Sequence, residues 1–194
     1  MKDKIFFWLD GFLLQYCIAY FLQQEHNSNF YALYNVANKP KIFFTNQDLV
    51  KFENVWFFHD EIKNNQKILN HDYLKSFEKK YNIDIWKLAI NERLFYRFND
   101  FHEFSNDEIF SIVEQECRLF EKILDNVKPD FFVTKTPSNH YHQLFYEMCK
   151  SKGVKILLLH PSYLANRCLI SQELLKPDSV YDPTSISDSG RNFS

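Results

Sequence analysis

The sequence predicts an α/β domain: a Rossmann-like parallel sheet of about five strands with helices on both faces. Three observations predict it. Short continuous apolar runs, KIFFWL at Lys4–Leu9 and VKILLL at Val154–Leu159, have the composition of strands buried on both faces. Amphipathic helical patterns separate these runs, as in a β/α alternation. Each run also ends at turn or polar residues, which is where strand–turn–helix units change direction.

The elements follow in order. Lys4–Leu9 ends at Asp10-Gly11 and leads into a helical pattern, FLLQYCIAYFLQQEH. A second strand is expected over Asn29–Asn35. Beyond Lys41–Phe44 and the polar patch TNQD, a third buried strand is expected at Val55–Phe58, ending at His59-Asp60. The middle reads as helical, over Asp72–Lys80 and Ile85–Phe98. The clearest helix comes next. Ser105 with Glu108 three residues on forms a capping box, and Ile109, Ile112, Val113, Leu119, Phe120, Ile123, Leu124 and Val127 recur at helical spacing. Lys128-Pro129-Asp130 ends it. A second β/α unit follows: a strand at Phe131–Val133, the loop TKTPSN, a helix at His140–Lys152 closed by Gly153, and the strand Val154–Leu159. One domain is expected over residues 1–176. The remainder, residues 177–194, is rich in Ser, Asp and Pro and reads as a polar linker or disordered tail.

Composition narrows the function. The chain has 194 residues, 45% apolar and 25% charged, with a formal net charge of −2. That balance suits a globular domain and offers no basic excess for the phosphate backbone of nucleic acid. Phe (21) and Tyr (11) are abundant while Gly is only 3, and neither GxGxxG nor GxxxxGK[ST] is present. The glycine-rich dinucleotide and P-loop fingerprints are thus excluded. Cys17, Cys117, Cys149 and Cys168 have no zinc spacing and read as buried or free thiols in a reducing cytosol. No signal peptide is visible in MKDKIFFWLD, and the apolar stretch Phe12–Leu22 is too short to span a bilayer. Its aromatic stripe reads as core.

Polar residues concentrate where parallel-sheet ligands bind, at the carboxyl ends of strands. Asp10 follows the first strand, and His59-Asp60 the third. Thr134-Lys135-Thr136-Pro137-Ser138-Asn139-His140 follow the fourth, and His160-Pro161-Ser162, with Asn166 and Arg167 beyond, the fifth. Each has a structural alternative. Asp10 would cap the first helix, Ser138 or Asn139 would be the N-cap of the next, and His59-Asp60 an exposed loop. As a site, TKTPSNH offers a lysine, hydroxyls and a histidine at a helix N-terminus, suited to phosphate, carboxylate or sugar. His140 and His142 are two apart, which is poor spacing for a helical metal pair. His160 is either a general base or a hydrogen-bonded structural histidine. Arg167 either binds an anion or forms a surface ion pair. No catalytic triad is readable; Ser138 lies in PSN, not GxSxG. Asp10, Lys135, His140 and His160 are expected to gather along one sheet edge.

The segment ILDNVKPDFFVTKTPSNHYHQLFYEMCKSKGVKILLLHPSYLANRCLISQE resembles the amino-terminal half of GT-B glycosyltransferase-like proteins of bacterial capsule and surface-polysaccharide biosynthesis. There a KPD–strand–polar loop–helix–KG–strand unit ends the first Rossmann-like domain, and KIFFWLDG is compatible with its opening. The resemblance covers about Lys4 to Glu173. It implies a domain that shapes the acceptor site, facing a second domain that holds the nucleotide-sugar donor. After Glu173 only the polar tail follows, so the donor domain is expected to be missing and the chain inactive alone. Under this resemblance His160 and Asp10 are the candidate bases on a sugar or glycan acceptor, and Lys135, Thr136, Ser138, His140 and Arg167 the candidate substrate contacts. No metal or other cofactor is expected, the location is cytoplasmic, and a full-length enzyme would associate peripherally with a membrane. The alternative is a non-catalytic α/β binding or interaction module.

Overall fold

The computed structural model describes residues 2–62, 69–97, 100, 102–161 and 168–174. Its strands are β1 (Lys4–Leu9), β2 (Asn29–Tyr34), β3 (Asn54–Phe57), β4 (Phe131–Lys135), β5 (Lys155–Pro161) and β6 (Cys168–Ser171). Its helices are α1 (Leu14–Glu25), α2 (Asn38–Asn46), α3 (Phe58–Glu61), α4 (His71–Tyr81), α5 (Ile85–Ile90), α6 (Arg93–Tyr96), α7 (Asn106–Val127) and α8 (His140–Ser151). The strands form one sheet in the order β3-β2-β1-β4-β5-β6, parallel except for β6, which runs antiparallel to β5. This is the expected α/β architecture with β1 central.

The alternation of side chains along β1 divides the core in two. Phe6 and Trp8 face a layer of α4, α5, α7 and α8, where Phe77, Phe120, Phe132 and Phe145 are buried. Ile5, Phe7 and Leu9 face the opposite side, where Tyr16 and Ala19 of α1 and Phe44 of α2 pack. Aromatic rings fill the larger cluster. Phe145 lies 5.1 Å from Phe6, 5.0 Å from Phe120 and 5.1 Å from Phe132, between ring centroids.

Ends of elements follow local chemistry. The α7 capping box is present: Ser105 N donates to Glu108 Oε2 at 2.8 Å, and Glu108 N donates to Ser105 Oγ. Lys128 ends α7 in the left-handed region, and Asp130 then grips the start of β1, accepting from Lys4 N at 2.9 Å. Gly153 follows α8 at φ 72°, a conformation glycine adopts without Cβ strain.

The structure departs from these expectations, or adds to them, in several places. β3 is an edge strand bonded only to β2, so Val55 is exposed and Trp56 and Phe57 half-buried, not sealed on both faces. Lys41–Phe44 falls within α2. The helical stretch beginning at Ile85 breaks at Asn91-Glu92, because the Glu92 carboxylate caps α6 by accepting from Leu94 N. The antiparallel β6 was not anticipated. The α1 stripe is core only in part. Tyr16 and Ala19 are buried, while Phe12, Leu13, Leu14 and Phe21 stay exposed. Among the described residues no helix is long and apolar enough to cross a membrane. The tail, residues 177–194, lies outside the described residues.

Phe145 and Phe21 make a direct test of this packing. Phe145→Ala should cost about 3–5 kcal/mol, since it opens a cavity among three rings. Phe21→Ala, on a side chain 63% exposed, should cost less than about 1 kcal/mol. Urea unfolding midpoints at unchanged slope would read both; equal losses would contradict the assigned core.

Candidate functional site

The chain builds outward from β1 in two directions. It runs β1, β2, β3 to one side, then crosses back to lay β4 and β5 on the other. The order therefore reverses between β1 and β4. In open parallel sheets that reversal splays the two flanking connections apart and leaves a crevice at the carboxyl ends of the strands. Asp10, one residue past β1, and Lys135, the last residue of β4, meet at this point of the sheet.

Their ion pair is 2.5 Å, between Lys135 Nζ and Asp10 Oδ2, with the two side chains 26% and 10% exposed. The other oxygen, Asp10 Oδ1, accepts from Phe12 N at 2.9 Å and so fixes the turn into α1. The Phe12 ring covers the pair, its centroid 4.8 Å from Lys135 Nζ. Both Asp10 oxygens are thus engaged, which favours a wall-forming and turn-fixing role over that of a free base. Asn35, at the end of β2, closes the neighbouring wall. Its backbone N–H donates to Leu9 O at 2.7 Å, and its side chain reaches Tyr141 Oη. Asn139 Nδ2 donates to the same phenol oxygen at 2.6 Å.

On the far side of Lys135, Thr136 and His160 meet. Thr136 Oγ1 lies 2.9 Å from His160 Nδ1, and His160 Nε2 lies 2.8 Å from Ser171 Oγ on β6. Ser171 Oγ in turn donates to Glu173 O at 3.0 Å. Thr136 is exposed, His160 half-buried and Ser171 buried, so this row runs from solvent into the sheet edge.

His140 does not join this group. Its ring is buried beneath the first turn of α8, with Nδ1 2.8 Å from Glu92 Oε2 and Nε2 3.0 Å from the Glu116 carboxylate. The carboxylate of Glu92 also accepts from His140 N at 2.9 Å, so a negative charge from the α5–α6 break caps α8. The N-cap residue Asn139 makes no side-chain capping bond, because its amide is turned to Tyr141. Burial alone would lower the pKa of His140, but Glu116 and Glu92 outweigh it and raise the value to about 9. Burial opposes ionisation of Glu92 too, yet the His140 ring and N–H hold its carboxyl well below the usual carboxylate range.

His142, two residues on, has the opposite fate. It stacks on Trp8 at 4.2 Å between centroids, with Nε2 2.6 Å from Thr134 Oγ1. Burial, with Lys135 nearby, lowers its pKa to about 3. Beside this layer, a cavity of about 610 Å³ opens between α5, α6 and the start of α8, lined among others by Lys87, Glu92, Arg93, Ser138, Asn139 and Gln143. Its size is that of a small-molecule site.

The structure thus joins Asp10 with Lys135 and Thr136 with His160 at one sheet edge, sends Ser138 and His140 to the neighbouring cavity, and leaves Arg167, Ser162 and Asn166 outside the described residues. His59 is exposed and Asp60 pairs with Lys41 on the surface. Sequence reasoning missed Ser171, Glu92, Glu116 and Tyr141. Only Asn35, a polar residue ending an apolar strand, carried a usable signal. Among the described residues no group of three or more His, Cys, Asp or Glu side chains is arranged to hold a metal ion. The fold is a Rossmann-like α/β domain with polar side chains gathered at the carboxyl ends of β1, β4 and β5. Compared with models of known families the chain matches none, and no curated protein matches its sequence.

The two histidines predict a pH profile with two limbs. His140, raised in the folded state, contributes stability that is complete below its ordinary value near 6.5 and is lost as pH climbs toward about 9. His142, lowered, contributes stability that is present above 6.5 and is lost as pH falls toward about 3. Urea unfolding against pH should therefore show stability falling on both sides of about 6.5, by roughly 2–3 kcal/mol on the alkaline side. His140→Gln should flatten the alkaline limb alone. An unchanged alkaline limb in that variant would contradict the buried Glu92–His140–Glu116 arrangement.

Proposed function

We propose that this chain is the acceptor-side domain of a nucleotide-sugar-dependent glycosyltransferase of surface or capsular polysaccharide biosynthesis. The observation that carries the reading is the contact of His160 Nδ1 with an exposed hydroxyl, Thr136 Oγ1, at the carboxyl ends of β4 and β5, next to the switch point. A sugar hydroxyl arriving there would meet the same nitrogen.

In this reading the acceptor oxygen attacks the anomeric carbon of the donor sugar. His160 takes the proton from that oxygen as the bond to the nucleoside diphosphate breaks. Asp10 is committed to Lys135 and Phe12 N, so the proton falls to His160. Lys135, held by Asp10, presents its remaining hydrogens to polar groups of the acceptor. The departing diphosphate is stabilised mainly by groups of a donor-binding domain, by helix N-termini and basic side chains rather than by a tightly bound metal.

One observation favours a second reading, a non-catalytic interaction module. The α1–α2 side exposes Phe12, Leu13, Phe21, Ile42 and Phe43. Residues Gly11–Gln24 carry no Asp, Glu, Lys or Arg at all. Exposed apolar surface of this kind marks contact with another molecule.

Nuclear magnetic resonance titration with mono- and oligosaccharides distinguishes the two, with UDP-, GDP- and CMP-sugars tested alongside by calorimetry. The glycosyltransferase reading predicts that a saccharide shifts Thr136 and His160 resonances while nucleotide sugars bind weakly or not at all. Micromolar nucleotide-sugar binding would put the donor site on this chain and overturn the acceptor-side reading. No saccharide response at Thr136 and His160 would favour the interaction module.

A further inference from the structure

The row Thr136–His160–Ser171 contains information about proton positions. A serine hydroxyl carries one hydrogen. Ser171 Oγ donates that hydrogen to Glu173 O at 3.0 Å, so toward His160 it presents only lone pairs. His160 Nε2, 2.8 Å away, must therefore be the donor. In a neutral imidazole one ring nitrogen bears the hydrogen and the other is the acceptor. With the hydrogen on Nε2, the free lone pair is on Nδ1, which Thr136 Oγ1 reaches at 2.9 Å from the solvent side.

We infer that Ser171 is a positioning residue: it fixes the tautomer of His160 so that the basic nitrogen, Nδ1, faces the exposed Thr136 hydroxyl. This deepens the acceptor-side reading and rests on it for its functional meaning. Ser171 suits the task because it is buried, 2% exposed, and its strand is registered on β5 with Leu169 opposite His160 and Ser171 opposite Leu158. Turning this buried hydroxyl toward His160 would give up its bond to Glu173 O. The unanticipated strand β6 thereby gains a role: its pairing carries Ser171 to the inner side of the imidazole. Without that hydroxyl the ring would be free to place its hydrogen on either nitrogen, and in one form the nitrogen facing Thr136 would be an N–H, unable to accept a proton. Thr136 fits the same logic. Its exposed hydroxyl donates to Nδ1 in the free protein and can turn away when an acceptor hydroxyl donates in its place.

The histidine tautomer is measurable directly. In the intact chain labelled with 15N on histidine, long-range 1H–15N correlation spectra recorded at alkaline pH report each ring nitrogen separately. The expected result is a protonated-type Nε2 resonance and a bare, strongly downfield Nδ1 resonance. Ser171→Ala should move both toward the averaged positions of a mixed tautomer, and Ser171→Thr, which restores the hydroxyl, should return them. A protonated Nδ1 in the unmodified chain overturns the proposal, as does an unchanged spectrum in a folded Ser171→Ala variant. If that variant fails to fold, the unmodified spectrum and Ser171→Thr still decide. The measurement uses no substrate, so a correct tautomer in a chain with no saccharide response at Thr136 and His160 would discard the glycosyltransferase reading while leaving the role of Ser171 intact.

Discussion

The ion pair between Asp10 and Lys135 is the constraint on which the carboxyl edge of the sheet depends. It joins the ends of β1 and β4, the two strands between which the chain reverses direction. The backbone hydrogen bonds of the sheet already pair Ile5 with Phe131 and Phe7 with Val133. The β1–β4 register ends at Phe7 and Val133, while β1 runs on to Leu9 and β4 to Lys135, and the ion pair continues their association past the ladder. Asp10 at once fixes the turn into α1, and Lys135 precedes Thr136 by a single residue. The position of the Thr136–His160 contact is therefore set from both sides, by the ion pair through β4 and by the β4–β5 register, which places Lys135 opposite Leu159.

Beneath the edge lies a layer of charge management. His140 and His142 start the same helix, yet one is held as an imidazolium between two carboxylates and the other is held neutral against Trp8. Their opposite states follow from direction alone, since residues two apart on a helix point to different sides. Glu92 is the pivot. It ends α5, caps α6, caps α8 and charges His140, so one side chain couples the cavity wall to the start of α8. A buried charge with so many partners resists displacement, because removing any one of them strands the others in a poorly solvating interior.

Much of this fold was legible in the sequence, for definite reasons. KIFFWL and VKILLL are buried on both faces and have few ways to fold except as central parallel strands. Ser105 and Glu108 form the capping box their spacing specifies. Edges were less legible. VWFF is as apolar as β1, but its neighbours on one side are solvent, a fact of topology that composition does not carry. β6 spans four residues and depends on pairing with β5, so no local pattern announces it. The site divided in the same way. Asp10, Lys135, Thr136 and His160 were readable because they end or follow apolar runs. Glu92, Glu116 and Ser171 were not, since each sits within a helical or apolar stretch and gains its role only from a partner 11 to 48 residues away.

A double-mutant cycle on the ion pair tests the central claim most directly. Asp10→Asn keeps the bond from Phe12 N but removes the charge, Lys135→Met keeps the stem but removes the ammonium, and the pair of changes isolates their coupling. Urea unfolding of the four proteins at low ionic strength should give a coupling of about 1–2 kcal/mol, as befits a pair that is mostly shielded from water and screened only in part. Coupling below about 0.3 kcal/mol would mean that the two residues do not act together. The carboxyl edge would then hold two independent turns and not a joined site.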